Sequence, residues 1–343
     1  MEHKKVKLKK VITFGEVLLR LSTPDYLRFS QSSNFNADYG GSELNVATSL
    51  VQFGMEAEFV TRIPNNDIGF SALSLIKKLD VGTDFIVKGG DRLAIYFLEK
   101  GAAMRGSKVV YDRAFSSFST LKKGMINWEE VFENAGWFHW SGITAGISQD
   151  TADVCLEAIE KANEFGLTIS TDFNYRQNLW NYGKSPGEIM EKMVALCDVI
   201  LAGDYASQQY FNIIPEGNSE ADLQLSLCKK LSERFSKAKK IAITNRVDSS
   251  ASQNMWSAIL YNGKTIKISK TYEINYIVDR IGAGDSFMGA LIYGLHHFDD
   301  QKALEFAVAA SCLKHTIYGD ANLATVAEVE KLMNGDGSGR VVR

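Results

Sequence analysis

The sequence contains no run of apolar residues long enough to cross a bilayer, which takes about 20. It also lacks the hydrophobic region of a secretory signal. After a basic start, Met1–Lys10, the stretch Val11–Phe14 is only the size of a strand, and the lysines read as a solvated tail. The four cysteines, Cys155, Cys197, Cys228 and Cys312, are scattered and form no CxxC pair. That argues against a thiolate zinc site or a disulfide framework, and fits a reducing, cytoplasmic setting. The five histidines form no HExxH, and the neighbours His296-His297 cannot share a helix face. There is no excess of charge of either sign: 38 basic against 41 acidic residues gives −3. Nucleic acid would therefore meet no basic field. The GxxxxGK[ST] of a P-loop is missing, and Gly40-Gly41 is not followed by the GxGxxG spacing of a dinucleotide site.

What is present is an ordinary globular composition, 45% hydrophobic and 23% charged over 343 residues. Short apolar runs alternate with helical patterns. Strands are expected at Val11–Phe14, Ala57–Ile63, Trp137–Ser141, Leu167–Asp172, Asp198–Ala202 and Lys240–Thr244. Helices are expected at Ser42–Phe53, Ile68–Leu79, Gln149–Phe165, Pro186–Leu196 and Ala221–Phe235. This alternation predicts a mostly parallel sheet with helices on both faces, an α/β/α sandwich. Two hairpin signals interrupt it. Leu93–Leu98 and Lys108–Tyr111 flank Gly101–Gly106, and Met255–Tyr261 and Lys264–Ser269 flank Asn262-Gly263. The first suits a lid over a site in the main sheet, and the second an edge of that sheet. Three helices follow, Asp285–His297, Gln301–Ile317 and Val326–Met333, and then a polar, Gly-bearing tail, Asn334–Arg343, expected to be mobile. One domain spanning residues 1–343, with a lid from parts of 16–40 and 91–115, is the simplest organisation.

The run Asp279-Arg280-Ile281-Gly282-Ala283-Gly284-Asp285 leads a glycine turn into a helix. Glycines let backbone N–H groups converge, and a helix N-terminus adds free donors and a positive dipole end. A carboxylate at the mouth of such an anion site makes sense as a base that takes a hydroxyl proton while the donors hold a phosphoryl group. An N-cap aspartate after a glycine turn would read the same way, and this segment alone does not choose. Upstream, Gly40-Gly41-Ser42-Glu43-Leu44-Asn45 opens another helix. Ser42 there could be a simple cap, while Asn45 lies one turn in and could face the same cleft.

Together the two segments resemble the two signatures of the ribokinase-like (PfkB) carbohydrate kinase family. Gly40, Gly41, Asn45, Ala47 and Gly54 match the first. Asp279 to Leu291, including Gly282, Gly284, Asp285, Gly289 and Ala290, match the second. The resemblance runs from Val11 to about Met333. It implies ATP and Mg²⁺ as cofactors, a β-sheet lid, Asp285 as catalytic base, and an anion hole from the backbone of Ile281, Gly282, Ala283 and Gly284. The nucleotide is then expected at Thr244, Arg246, Gly282 and Gly284, with adenine near Ala310–Ile317. It also implies a homo-oligomer, dimer or larger, paired through lids, and leaves monovalent-cation activation open.

Within the family, Gly15-Glu16-Val17-Leu18-Leu19-Arg20-Leu21-Ser22 and Asp172-Phe173-Asn174-Tyr175-Arg176 with Leu179-Trp180 resemble the branch that phosphorylates 2-keto-3-deoxygluconate at its 6-position. By that resemblance Arg113 and Arg176 bind the acid end and open-chain oxygens, and Tyr96 and Tyr111 supply hydroxyl contacts and a wall. Gly40, Gly41, Asn45 and Asp285 complete the sugar site. An arginine fork also matches a carboxylate on physical grounds. The pattern departs from the family at N-x-x-E, where Gly203 and Ala206 stand and Asp204 is the only nearby acid. The Mg²⁺ ligands are therefore unassigned. Two alternatives stay open: a sibling kinase for fructose or ribose, and a weakly catalytic sugar-binding or regulatory member.

Overall fold

The computed structural model describes residues 9–337. The basic start expected as a solvated tail lies largely outside that range, as do residues 338–343 of the tail expected to be mobile. Residues 334–336 fold back on the last helix through backbone bonds from Asn334 to Glu330, Gly335 to Leu332 and Asp336 to Lys331.

In chain order the first half holds β1 (Lys10–Phe14), β2 (Leu18–Ser22), β3 (Asn36–Gly40), α1 (Ser42–Gln52), β4 (Ala57–Ile63), α2 (Asp67–Lys78), β5 (Ile86–Lys88), β6 (Ala94–Glu99) and β7 (Lys108–Asp112). Next come α3 (Trp128–Phe132), β8 (Ala135–Ser141), α4 (Gly142–Ile147), α5 (Gln149–Glu164), β9 (Thr168–Asp172), α6 (Pro186–Val194), β10 (Val199–Ala202), α7 (Asp204–Phe211) and α8 (Glu220–Arg234). The chain ends with β11 (Lys240–Ser250), β12 (Gln253–Tyr261), β13 (Ile266–Ile268), β14 (Tyr272–Ile274), α9 (Ala283–His297), α10 (Asp300–Lys314) and α11 (Val326–Met333). Local chemistry fixes many of the helix starts. Asn66 accepts from the Gly69 N–H, Ser148 and Thr151 form a reciprocal box, Pro186 takes the first position of α6, and Thr325 pairs with Glu328.

The large sheet runs β13-β12-β11-β10-β9-β8-β1-β4-β5, with β14 beside β12. It is parallel from β11 to β5 and antiparallel at the β12 edge. The expected hairpin edge is therefore found. Alternate residues of each strand enter two separate cores, as a two-sided sheet demands. Ile12, Phe14, Phe138, Trp140, Ile200 and Ile241 pack under α5, α6 and α8. Val11, Trp137, Val199, Leu201 and Ala242 pack under α1, α9 and α10. This is the ribokinase-like three-layer α/β/α sandwich that the sequence implied. The four cysteines are free thiols, three of them buried, and no described helix is long and apolar enough to span a membrane.

A second sheet of four strands, β3-β2-β6-β7, stands apart. Its β2–β6 pair is parallel and sets Arg20 opposite Tyr96. One expectation fails at β11. The strand expected to end at Thr244 runs on through Asn245–Ser250, which pair with Gln253–Ser257 of β12. Cross-strand bonding supplies there what the polar residues Asp248-Ser249-Ser250 lack in intrinsic β preference.

Candidate active site

Strand order reverses between β1 and β8. From β1 the chain moves outward to β4 and β5, then returns to β8 and continues the other way. Ligand crevices of open α/β sheets form at such a switch point, beyond the carboxyl ends of the strands. A cavity of about 560 Å³ lies there. Leu18, Tyr96, Val109 and Tyr111 of the small sheet wall one side. Arg113, Asp172, Asn174 and Arg176 line one end, and Thr244, Arg246, Arg280 and His315 line the other.

Asp285 lies between these ends and is the third residue of α9, which begins at Ala283 after the cap residue Gly282. It therefore does not cap its own helix. Its Oδ1 accepts from Ser42 Oγ at 2.6 Å and its Oδ2 from Asn45 Nδ2 at 2.7 Å. Both donors come from the first turn of α1, so α1 and α9 must run close, N-termini together. Gly289, one turn beyond Asp285, permits this: a Cβ there would stand 2.6 Å from Ser49 Cβ. Burial raises the Asp285 pKa, and the bonds from Asn45 and Ser42 pull it back. A simple cap was one reading of Ser42 from the sequence. The cap is Gly41, and the serine hydroxyl is free to hold the carboxylate.

In the glycine turn, Gly282 has φ +81°, and a Cβ on it would meet the Asp320 carbonyl at 2.0 Å. Only glycine fits. Of the N–H groups expected to form an anion hole from Ile281 to Gly284, that of Ile281 is committed to Asp279 Oδ1 at 3.1 Å. Ala283 reaches Arg280 O at a long 3.4 Å, and among the described residues the Gly282 and Gly284 N–H groups have no such partner. Behind the turn lies a buried charge cluster. Arg20, fully buried, bonds Asp279 and, at 2.5 Å, Asp320. Burial alone would lower its pKa, but the two carboxylates outweigh that and raise it. The Tyr96 hydroxyl donates to Asp320 at 2.7 Å, and the Lys314 pKa is lowered by burial while Asp279 and Asp320 oppose the shift.

These contacts revise several sequence expectations. Tyr96 lines the cavity, but its hydroxyl proton is given to Asp320, which leaves only the oxygen's acceptor capacity for a ligand. Gly40 does not line the cavity, since a Cβ there would strike Asp320 Oδ2 at 2.0 Å; Gly41 packs on the Glu16 carbonyl, a Cβ being 2.2 Å from it. Arg113 is held through Nε by Glu16 Oε2 at 2.5 Å, with Ser116 bonded to the other carboxylate oxygen. Its remaining guanidinium N–H groups have no protein acceptor among the described residues. Arg176 is exposed at the rim and bonds only the Tyr175 carbonyl, at 3.4 Å. Tyr111 faces Tyr96 with ring centroids 6.0 Å apart.

Three further residues escaped sequence reasoning as site members. Asn174, at φ +36°, donates to Ser42 Oγ at 3.3 Å and so braces the group that braces Asp285. Asp172 accepts the Asn174 N–H at 3.0 Å. Burial pushes its pKa up to about 7, helped by Asp285 and opposed by Arg176. Glu43 accepts from Ser141 at 2.6 Å and Thr144 at 2.9 Å, and burial raises it to about 7. The Asp-x-Asn-x-Arg spacing was a signal for the first two. Nothing in the sequence marked Glu43.

At the other end, Thr244 and Arg246 line both the main cavity and a second one of about 270 Å³ that also touches Asp204. No described group of three or more His, Cys, Asp or Glu residues is placed to hold a metal. Mg²⁺ keeps several of its waters and is bound through one or two carboxylates and phosphate oxygens, so the single carboxylate of Asp204 at this second cavity fits its needs.

The fold defines the class, a ribokinase-like α/β/α protein with a site at the sheet's switch point. The chain matches the pfkB family carbohydrate kinase model over residues 8–326 and belongs to that family; it is an ATP-dependent carbohydrate kinase. It is 44% identical to the crystal structure of 2-dehydro-3-deoxygluconokinase from Thermotoga maritima, with TM-score 0.92, covering 95% of this chain and 100% of that one. A PfkB family carbohydrate kinase from Listeria grayi is 31% identical, with TM-score 0.89 and the same coverage of both chains. A 2-dehydro-3-deoxygalactonokinase of Haloferax volcanii is 27% identical over 96% of this chain and 98% of its own. A fructokinase from Xylella fastidiosa with bound ATP shares the fold at 22% identity and TM-score 0.73.

Proposed function

We propose that this kinase transfers the γ-phosphoryl group of ATP to a hydroxyl of a 2-keto-3-deoxy sugar acid, 2-keto-3-deoxygluconate giving its 6-phosphate. One observation carries the reading. The oriented carboxylate of Asp285 shares its cavity with Arg176, which has no ion-pair partner among the described residues, and with Arg113, whose outer N–H groups are free. A neutral sugar has no use for two such forks, whereas a carboxylate does. The names of the Thermotoga and Haloferax relatives, which differ in the sugar but share the 2-keto-3-deoxy acid, agree.

In this reading the sugar lies under the small sheet, which acts as its lid, with its acid end at Arg113 and Arg176. The ring of Tyr96 and the face of Tyr111 form the wall. Asp285 accepts the proton of the attacking hydroxyl as its oxygen bonds to the γ-phosphorus and the bond to ADP breaks. The Gly282 and Gly284 N–H groups and the α9 N-terminus hold the phosphoryl oxygens. The triphosphate runs toward Thr244 and Arg246. Mg²⁺ bound to the phosphates would neutralise part of their charge, with Asp204 the carboxylate at hand. The outer strand of the lid, β7, is an exposed edge carrying Val110 and Tyr111. A second subunit covering it, in a dimer or larger assembly, follows naturally.

The test is ADP release with Mg-ATP against 2-keto-3-deoxygluconate, its galacto epimer, fructose and ribose. Turnover on the two acids is expected. Turnover on neutral sugars alone overturns the substrate class, and no turnover on any of the four overturns it too and moves the acceptor outside these sugars.

A further inference from the structure

The nucleotide end of the cavity already holds an anion, supplied by the protein itself. On β11 the residues Thr244, Arg246 and Asp248 point to one face, as alternation along a strand requires. Arg246 Nε lies 3.0 Å from Asp248 Oδ2, and Arg280 Nη1 lies 3.3 Å from Asp248 Oδ1. One carboxylate therefore bridges the two arginines that line this end of the cavity. The two arginines are not equivalent. Arg280 is anchored independently, donating through Nη2 to the carbonyls of Ala251 at 2.8 Å and Ser250 at 3.3 Å. Arg246 has no protein acceptor other than Asp248 among the described residues, and half of its side chain is exposed. A partner carrying several negative charges can take Arg246 from Asp248 without disturbing the fold around it. A weakly held, solvent-exposed pair is the kind that yields.

Building on the reading of Arg246 as a phosphate contact, we propose that Asp248 is an internal competitor for the nucleotide: its carboxylate occupies the arginine that the phosphates of ATP must take over. Binding then exchanges one carboxylate for phosphate oxygens at Arg246. The exchange favours the more highly charged nucleotide over its dephosphorylated forms.

The experiment is isothermal titration of the full chain with Mg-ATP, Mg-ADP and adenosine, for wild type, Asp248→Asn, Arg246→Ala and the double variant. With one exposed pair removed, Asp248→Asn should tighten Mg-ATP about two- to fivefold. Mg-ADP should tighten less, adenosine not at all, and the gain should fade as salt is raised. In the Arg246→Ala background the same substitution should gain little. Weaker or unchanged binding of Mg-ATP to Asp248→Asn overturns the proposal, since the carboxylate would then be positioning Arg246 or idle. An equal gain for adenosine overturns it too. If Arg246→Ala alone leaves Mg-ATP affinity untouched, the assignment of Arg246 to the nucleotide fails, and the proposal with it.

Discussion

Ser42 donates its hydroxyl to Asp285 Oδ1 across the junction of two helices that begin 241 residues apart, at Ser42 and Ala283, while Asn45 holds the other oxygen. Asp285 is thus oriented by α1, the helix that the upstream glycine pair begins, and its proton affinity depends on that helix.

Replacing Asp285 isolates the role proposed for it in the chemical step. Asp285→Asn keeps the size and the bond from Ser42 but removes the proton acceptor. Turnover should fall by about 10²- to 10⁴-fold, with little change in sugar binding measured by titration. A comparable loss in sugar affinity would show that Asp285 binds the sugar and does not act as the base.

The pH profile should respond to the braces. Ser42 and Asn45 bond the ionised carboxylate and so lower its pKa against the effect of burial. Asn45→Ala removes one of these bonds, so the Asp285 pKa rises. Because the base works deprotonated, the acid limb of kcat/KM should move to higher pH. A limb that stays put, or moves to lower pH, contradicts the arrangement.

For the acid end, Arg176→Ala should raise the KM for the sugar acid by roughly 10- to 100-fold, the worth of a charged hydrogen bond. The KM for ATP should change little. Equal effects on both substrates would count against Arg176 as the carboxylate contact.

Tyr96 separates two roles that the sequence could not. Its hydroxyl bonds Asp320, so Tyr96→Phe should cost about 1 kcal/mol or more of stability in urea denaturation and leave the sugar KM nearly unchanged. A large rise in that KM with no loss of stability would restore the hydroxyl to the substrate.

Glu43 predicts a slope in stability. Its pKa in the folded chain is raised from 4.5 to about 7 by burial. The folded state therefore binds its proton more tightly than the unfolded state does. That contribution is complete below about pH 4.5 and is lost as pH rises through about 7. In Glu43→Gln, the decline in melting temperature between pH 5 and 8 should be shallower. It should not vanish, because Asp172 titrates in the same window. An unaltered slope would place the ionisation elsewhere.

Much of the fold was legible because the parallel strands carry short apolar stretches set between helical patterns, and the longer helices carry clear periodicity. β4 and α11 fall where the residues put them. Elements that depend on partners were hidden. β2 and β5 have little pattern of their own, and the outer half of β11 is strand only because β12 pairs with it. The site divides along the same line. The glycine turn, Asp285 and Asn45 announce themselves through spacing. The braces from Ser42 and Asn174 and the use of Tyr96 by Asp320 are contacts between distant segments, and spacing carries no trace of them.

The buried cluster behind the glycine turn also bears on how this sequence can drift. Arg20 and Lys314 bring two positive charges, and Asp279 and Asp320 two negative ones, into a space from which water is excluded. Removing one member strands the opposite charge, at about 3–5 kcal/mol, whereas exchanging the whole set for apolar residues can be nearly neutral. Single-step paths away from this arrangement are therefore closed. A lineage that abandons Arg20 has to abandon its aspartates almost together, and until it does, the glycine turn of the kinase stays tied to the small sheet.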